Sequence, residues 1–402
     1  MVERPRSSGP TRPPLAVLGG APAFETPLLT GCPNILDPAA TAALIRDAMA
    51  RRWLTNEGPL VRRIEDRFAE FQGVRHAVAV ANATLGLQLA AAALGITGEV
   101  IVPSFTFIGT VHTMSWLGLR PVFCDVSTET HTLDASRVES AITRETGAIV
   151  GVHLWGRPCD IDGLQRVAEA HGVPVLFDAA HATGSAWRGT PLGRFGRAEV
   201  FSLHATKSIN GLEGGMVTTD DDELAERVRR LRNFGFSAEG RVVSRGINAK
   251  MDEFSAAMAL TNLAAFDRLS AHNRAIREAY RHGLAGLPGV RLSEHPAGDV
   301  PSRHYAVVEV DEASPLGRDA LCRLLIAERV TPRRYFRPGC HRSPPYASEA
   351  PRHSLPVTDR LSQTLMQLPT GLQMTPEDAS TIAAVLGRAL AEAPRVRAAL
   401  AV

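Results

Sequence analysis

The sequence predicts an α/β fold: a large domain on a mostly parallel sheet with helices on both faces, followed by a small α+β C-terminal domain. Three observations predict it. From about residue 75, short β-branched runs alternate with Ala/Leu-rich stretches, the pattern of strands joined by crossover helices. After about residue 270 that alternation stops. The chain is also 402 residues long and 45% hydrophobic, enough for a large core and more than one lobe.

In chain order, residues 1–14 are rich in Arg, Pro and Ser and read as a disordered tail that is not a signal peptide. The large domain is expected over 15–265 and the small one over 266–402. Seven strand candidates fall at 76–81 (HAVAVA), 99–103 (EVIVP), 121–125, 148–152, 174–178, 199–203 and 215–219. Helices are expected at 84–94, 136–142, 161–171 and 222–232. A long one at 250–269 forms a natural hinge. Beyond it come a helix (272–287), a strand (305–310), a helix (317–329), a Pro/Arg/aromatic loop (331–346) and a closing helix (376–392).

The net charge of +2 supplies no basic field for nucleic acid. No apolar run approaches the roughly 18–20 residues that span a bilayer. The five cysteines are scattered without C-x-x-C spacing, which argues against a zinc or redox motif and for a reducing, cytoplasmic setting.

In sheets of this kind ligands gather at the carboxyl ends of the strands, so residues there carry the chemistry. Lys207 follows a strand and precedes Gly211-Leu212-Glu213-Gly214-Gly215. A lysine is ordinarily a surface residue, but one desolvated beside a ligand becomes a nucleophilic amine. Asp178 ends an apolar strand. It suits either a helix cap or the ring nitrogen of a pyridine cofactor. His181 suits the same ligand or a structural hydrogen bond. Asn82-Ala83-Thr84 opens a helix, as an ordinary N-cap or as a phosphate site. Ser202 offers a further hydroxyl there.

Taken in order, these pieces resemble the DegT/StrS-type family of sugar aminotransferases. The resemblance runs from Trp53 to about Leu263. It rests on Gly58-Pro59-Leu60-Val61, Asn82-Ala83-Thr84, Val102-Pro103-Ser104-Phe105-Thr106-Phe107, Val152-His153-Leu154-Trp155-Gly156, Asp178-Ala179-Ala180-His181, Ser202 to Lys207, Glu213-Gly214-Gly215 and Leu231-Arg232-Asn233-Phe234-Gly235. It implies the pyridoxal 5'-phosphate (PLP) fold type I, aspartate aminotransferase-like, with a seven-stranded sheet. It further implies that Lys207 is the Schiff-base lysine and proton carrier, Asp178 the partner of the ring nitrogen and Phe107 a ring-stacking residue. His181 would lie near the ring hydroxyl, Ala83, Thr84 and Ser202 at the phosphate. Asn248 would reach the cofactor of a second subunit in a homodimer with shared sites.

By the same resemblance the cofactor cycles through its pyridoxamine form. L-Glutamate is the expected donor and a nucleotide-linked keto-sugar the acceptor, favoured at C4 of a dTDP-4-keto-6-deoxyhexose. Amination at C3, a GDP-linked sugar and a cyclitol ketone are the alternatives. A non-catalytic cofactor-binding sensor or partner subunit is the reading from another class. Arg334, Tyr335 and His341, in a loop that clusters Arg334 with Arg333, Arg337 and Arg342, are the expected substrate contacts, since Arg suits phosphate. Two departures stand out: Ala83 where many relatives carry Gly, and Lys250 where many carry Arg.

Overall fold

The computed structural model describes residues 13–294, 300–348 and 354–400. The expected tail over 1–14 lies outside the described residues except for Pro13 and Pro14.

Seven strands form the main sheet: β1 (His76–Val80), β2 (Glu99–Pro103), β3 (Arg120–Cys124), β4 (Thr146–Val152), β5 (Val175–Asp178), β6 (Ala198–Ser202) and β7 (Gly215–Thr219). Their order is β1-β7-β6-β5-β4-β2-β3, and β7 alone runs antiparallel to its neighbours. Each strand lies within two residues of its predicted limits, because continuous apolar runs bounded by turn residues leave little choice of register. Side chains alternate across the sheet. Phe201 and Met216 enter one core cluster, and Val200 and Val217 enter the cluster on the other face. The first face is covered by α1 (Pro38–Arg51), α2 (Pro59–Gln72), α5 (Ala135–Ala141), α6 (Ile161–His171) and α8 (Glu253–Ala264). The second is covered by α3 (Ala83–Ala93), α4 (Ile108–Trp116) and α7 (Asp222–Leu231).

The expected helix over 250–269 is two helices. α8 ends at Ala265, whose φ/ψ of −108°/12° leaves the helical region, and α9 runs Phe266–Leu284. Phe266 packs edge-on against Phe71 at 5.1 Å and anchors the new direction. The small lobe adds a three-stranded antiparallel sheet, β8 (Val290–Leu292), β9 (Ala306–Val310) and β10 (Leu365–Leu368), of which only β9 was expected. Helices α10 (Arg318–Ala327), α11 (Pro356–Thr364), α12 (Pro376–Ala391) and α13 (Ala393–Ala399) complete it. Leu15 and Leu28, from the stretch assigned by sequence to the large domain, pack into this second core, and Leu28–Leu29 pairs in parallel with Val330–Thr331.

A fourth cluster, including Phe105, Trp155, Tyr305 and Phe336, joins the two lobes. Beside it the buried Asp125, just past β3, caps α11 from across the boundary. Its carboxylate accepts from the amides of Val357 (3.0 Å) and Thr358 (2.8 Å) and from the Thr358 hydroxyl (2.7 Å). A carboxylate at a helix N-terminus answers the otherwise unpaired first amides. Among the described residues, no helix is long and apolar enough to cross a membrane.

Candidate active site

A cavity of about 260 Å³ opens where the carboxyl ends of β5 and β6 meet the N-termini of α3 and α4, under residues 333–336 of the small lobe. Larger, shallower clefts on the outer face of α6 and α7 are lined by surface ion pairs such as Arg197–Asp221.

The anion-ready wall is the start of α3. Asn82 caps it, its side-chain oxygen accepting from Leu85 N at 2.9 Å. That leaves the first amides, at Ala83 and Thr84, without partners inside the helix and at its positive end. Gly215 permits the approach, since a Cβ there would lie 2.7 Å from Ala83 N. Ser202, the last residue of β6, lines the same wall, and its Oγ accepts from His204 N at 3.3 Å.

Asp178 ends β5 at the floor. It is buried, with Oδ2 accepting from the Thr110 hydroxyl at 2.7 Å and Oδ1 from Ala180 N at 3.0 Å. Burial pushes its carboxyl pKa up, while those two hydrogen bonds and the Lys207 charge pull it back. Thr110 sits in the first turn of α4, which Phe107 caps, and places the Phe107 ring at the cavity mouth, 57% exposed.

Lys207 stands in the turn after β6. Its Nζ donates to the Tyr305 hydroxyl at 3.2 Å. Burial lowers its pKa from 10.5 to about 8, against the opposing pull of Asp178 and with a smaller push from Arg333. A large share of the amine is therefore neutral near pH 8, as a nucleophile or proton acceptor requires. His181 stacks on Trp155 (5.5 Å between centroids, 22°) and lies 4.4 Å from the Tyr305 ring. Burial, with the Lys207 and His304 charges, holds its pKa well below 6.5, so the ring is neutral.

Ala83, Thr84, Phe107, Asp178, His181, Ser202, Lys207 and Tyr335 all line this cavity. Arg334 and His341 do not. Arg334 is exposed and pairs with Asp319 at 3.4 Å. Its neighbours Arg337 and Arg342 pair with Asp319 and Asp359. His341 is buried, held between the Ser104 hydroxyl (2.6 Å to Nδ1) and Asp359 (3.4 Å to Nε2). That chain has the members of a hydrolytic triad, but Ser104 is wholly buried and no substrate reaches it.

The arginine at the cavity is Arg333, whose guanidinium donates to the Tyr335 hydroxyl at 2.7 Å and has no carboxylate partner among the described residues. Gly31, at φ +80°, lets the chain pass it where a Cβ would lie 3.0 Å away.

Asn248 is exposed, outside its own chain's cavity. It lies on a flap where Asn233 bridges Asn248 and Phe236 bridges Val242. The flap exposes Phe234, Phe236, Val242, Val243 and Ile247 together, a patch of the kind that marks an interaction face. Lys250 Nζ donates to Asn233 at 2.9 Å and sits 4.7 Å over the Phe234 ring.

Sequence reasoning missed Thr110 and Tyr305; it named Arg333 in the arginine cluster but singled out Arg334 as the contact. Thr110 lies three residues after Phe107 and shares its face of a helix, so helical spacing could have found it. Tyr305 arrives from the small lobe, and no local pattern announces it.

The DegT/DnrJ/EryC1/StrS aminotransferase family model matches residues 37–387. A dTDP-4-amino-4,6-dideoxy-D-glucose transaminase of Escherichia coli is 33% identical over 344 residues, 84% of this chain and 92% of that protein. Among solved structures, DesI in the presence of its TDP-sugar product superposes with a TM-score of 0.92 at 48% identity, covering 96% of this chain and 98% of that one. S. venezuelae DesV in complex with a ketimine intermediate gives 0.82 at 34% identity, covering 88% and 94%.

Proposed function

The chain belongs to the DegT/DnrJ/EryC1/StrS aminotransferase family, and on that footing we propose that it moves the amino group of L-glutamate to C4 of a dTDP-4-keto-6-deoxyhexose in amino-deoxysugar biosynthesis. Its fold is that of the PLP fold type I aminotransferases. The observation that carries the reading is the pairing, across one cavity, of a lysine amine brought down to about 8 with a buried carboxylate. An amine lowered in this way beside a charge partner in a cleft is of the kind found at catalytic sites, and it supports the transaminase over the non-catalytic subunit. The choice of a dTDP sugar and of C4 is supported by the E. coli relative, named for a 4-amino product, and by DesI with its TDP-sugar product.

The donor set suits pyridoxal 5'-phosphate. Asp178 is a buried carboxylate with two hydrogen bonds and no ion-pair partner among the described residues, ready for a protonated ring nitrogen. Ala83, Thr84 and Ser202 would hold the phosphate, Phe107 would cover one ring face, and His181 would sit near the ring hydroxyl. When bound, the cofactor supplies the electron sink for charge left on the substrate carbon. Lys207 Nζ removes the proton from that carbon and returns it. Asp178 keeps negative charge on the floor, and Thr110 fixes its orientation. Arg333, beside Lys207 and without a carboxylate partner among the described residues, offers a cation for a donor carboxylate.

Asn248 and the exposed flap support a homodimer in which each chain completes the other's site. The five free cysteines, four of them buried, fit a cytoplasmic protein.

The test is reconstitution with pyridoxal 5'-phosphate, followed by L-glutamate and then dTDP-4-keto-6-deoxyglucose. The expected outcome is a visible spectrum that converts to the pyridoxamine form and back, with NMR placing nitrogen at C4. No spectral response to any amino donor would sink the transaminase reading, and a pyridoxamine form discharged by the 3-keto isomer of that sugar nucleotide but not by the 4-keto compound would sink the regiochemistry. Mixing Lys207→Ala with Asn248→Asp chains checks the shared site, since hybrid dimers then regain one intact site.

A further inference from the structure

A second chamber of about 20 Å³ adjoins the cavity, and Thr206, Lys207, Arg333 and Tyr335 line both. Its other walls include His304, Tyr305 and Gln367. Two of these residues carry a polar atom with no hydrogen-bond partner among the described residues, His304 Nδ1 and Gln367 Oε1, and each residue is only 5% exposed. Buried acceptors left unpaired are rare and point to a bound donor.

The His304 tautomer is fixed by its other nitrogen. Nε2 faces the Thr206 carbonyl at 2.8 Å, and a carbonyl only accepts, so Nε2 carries the hydrogen. Burial holds the ring neutral, with its pKa down to about 4. Nδ1 therefore presents a lone pair. The occupant must donate twice and be small, because a chamber of this size has room for about one water.

We infer that this chamber seats a water molecule that donates to His304 Nδ1 and Gln367 Oε1 beside Lys207 Nζ and Tyr305 Oη, and that this water is the reactant that releases the keto acid. The inference rests on the aminotransferase reading above. Release of the keto acid exchanges a carbon–nitrogen double bond for a carbon–oxygen one. The water oxygen bonds to the carbon, both water protons pass to the nitrogen by way of Lys207 Nζ, and the nitrogen leaves as a primary amine. Oxidation states do not change. The half-reaction on the keto-sugar runs the same step in reverse and returns one water, so the chamber is refilled within each full cycle.

A high-resolution crystal structure of the cofactor-free protein is the first test. It should show an ordered water within hydrogen-bond distance of His304 Nδ1 and Gln367 Oε1. Side chains collapsed into a dry chamber would overturn the inference. Kinetics of the reconstituted enzyme with L-glutamate in D2O supply the second. Gln367→Leu and Tyr305→Phe should slow release of 2-oxoglutarate by about tenfold, the worth of one lost hydrogen bond to the reactant. Exchange of the α-hydrogen, which precedes the water step, should keep its wild-type rate in Gln367→Leu. Parallel loss of exchange and release in that variant would show a merely structural role and refute the proposal. Wild-type enzyme that exchanges no α-hydrogen would instead refute the donor reading, and the crystallographic result would still decide the chamber.

Discussion

Replacing Lys207 by Met should stabilise the cofactor-free protein at neutral pH and destabilise it at high pH. In the folded chain the amine titrates near 8, against an ordinary 10.5. Each tenfold difference in proton affinity is about 1.4 kcal/mol, so carrying the proton costs the folded state about 3 kcal/mol. Lys207 is half-buried, and solvent screening trims that figure to about 2–3 kcal/mol. The sign follows from linkage. Below pH 8 both folded and unfolded chains hold the proton, and the whole cost applies. Between 8 and 10.5 the unfolded chain binds more protons, so stability rises with pH. Above 10.5 both are neutral and the cost is gone. Met carries no charge at any pH but forfeits the hydrogen bond to Tyr305, worth about 1 kcal/mol. The variant should therefore gain about 1–2 kcal/mol at pH 7 and lose about 1 kcal/mol above pH 10.5. Urea denaturation of both cofactor-free proteins at fixed concentration across that range measures the difference. A difference that stays constant with pH, or that is unfavourable at pH 7, would refute the claim that Lys207 is held against its charged form.

Thr110→Val removes the 2.7 Å hydrogen bond to Asp178. With a bond to a charged group worth about 1.5–3 kcal/mol, pyridoxal phosphate affinity should fall at least about tenfold in an equilibrium titration. Asp178→Asn and Arg333→Met should move the Lys207 pKa in opposite directions, down and up respectively, since Asp178 raises it and Arg333 lowers it. The pH dependence of Lys207 acylation in the cofactor-free protein, followed by peptide mapping, reads both. His341→Ala should lower stability by about 1–2 kcal/mol through the lost contacts to Ser104 and Asp359. It should leave KM for the sugar nucleotide unchanged, because the ring lies outside the cavity.

What could be read in the sequence was what is encoded locally. Strands β2 and β7 have the limits their apolar runs predict, and helix α6 likewise, because Asp160 caps its start and Gly172 its end. Lys207, Asp178 and Phe107 sit at strand or helix ends, where the chain itself aims a side chain at the crevice. What escaped depended on distant partners. The break at Ala265 carries no Gly or Pro and is set by where Phe266 finds its pocket. Strands β8 and β10 are three and four residues long and exist because β9 lies between them. Arg333 and Arg334 are chemically identical neighbours. Only the packing of Gly31 and Tyr335 around one, and the pull of Asp319 on the other, decides which faces the cavity.

The Asp125 cap on α11 has a consequence for traffic through the site. Together with the Ser104–His341–Asp359 chain it rivets the small-lobe loop to the ends of β2 and β3 at both margins. A roof fastened in this way is a wall, so the route in and out runs sideways, past the exposed Phe107 and Glu213. Substrate capture is then a docking step into a standing port with no swing of one lobe against the other. Stopped-flow binding traces should accordingly be single-phase, with a rate that scales with substrate concentration without reaching a closure-limited plateau.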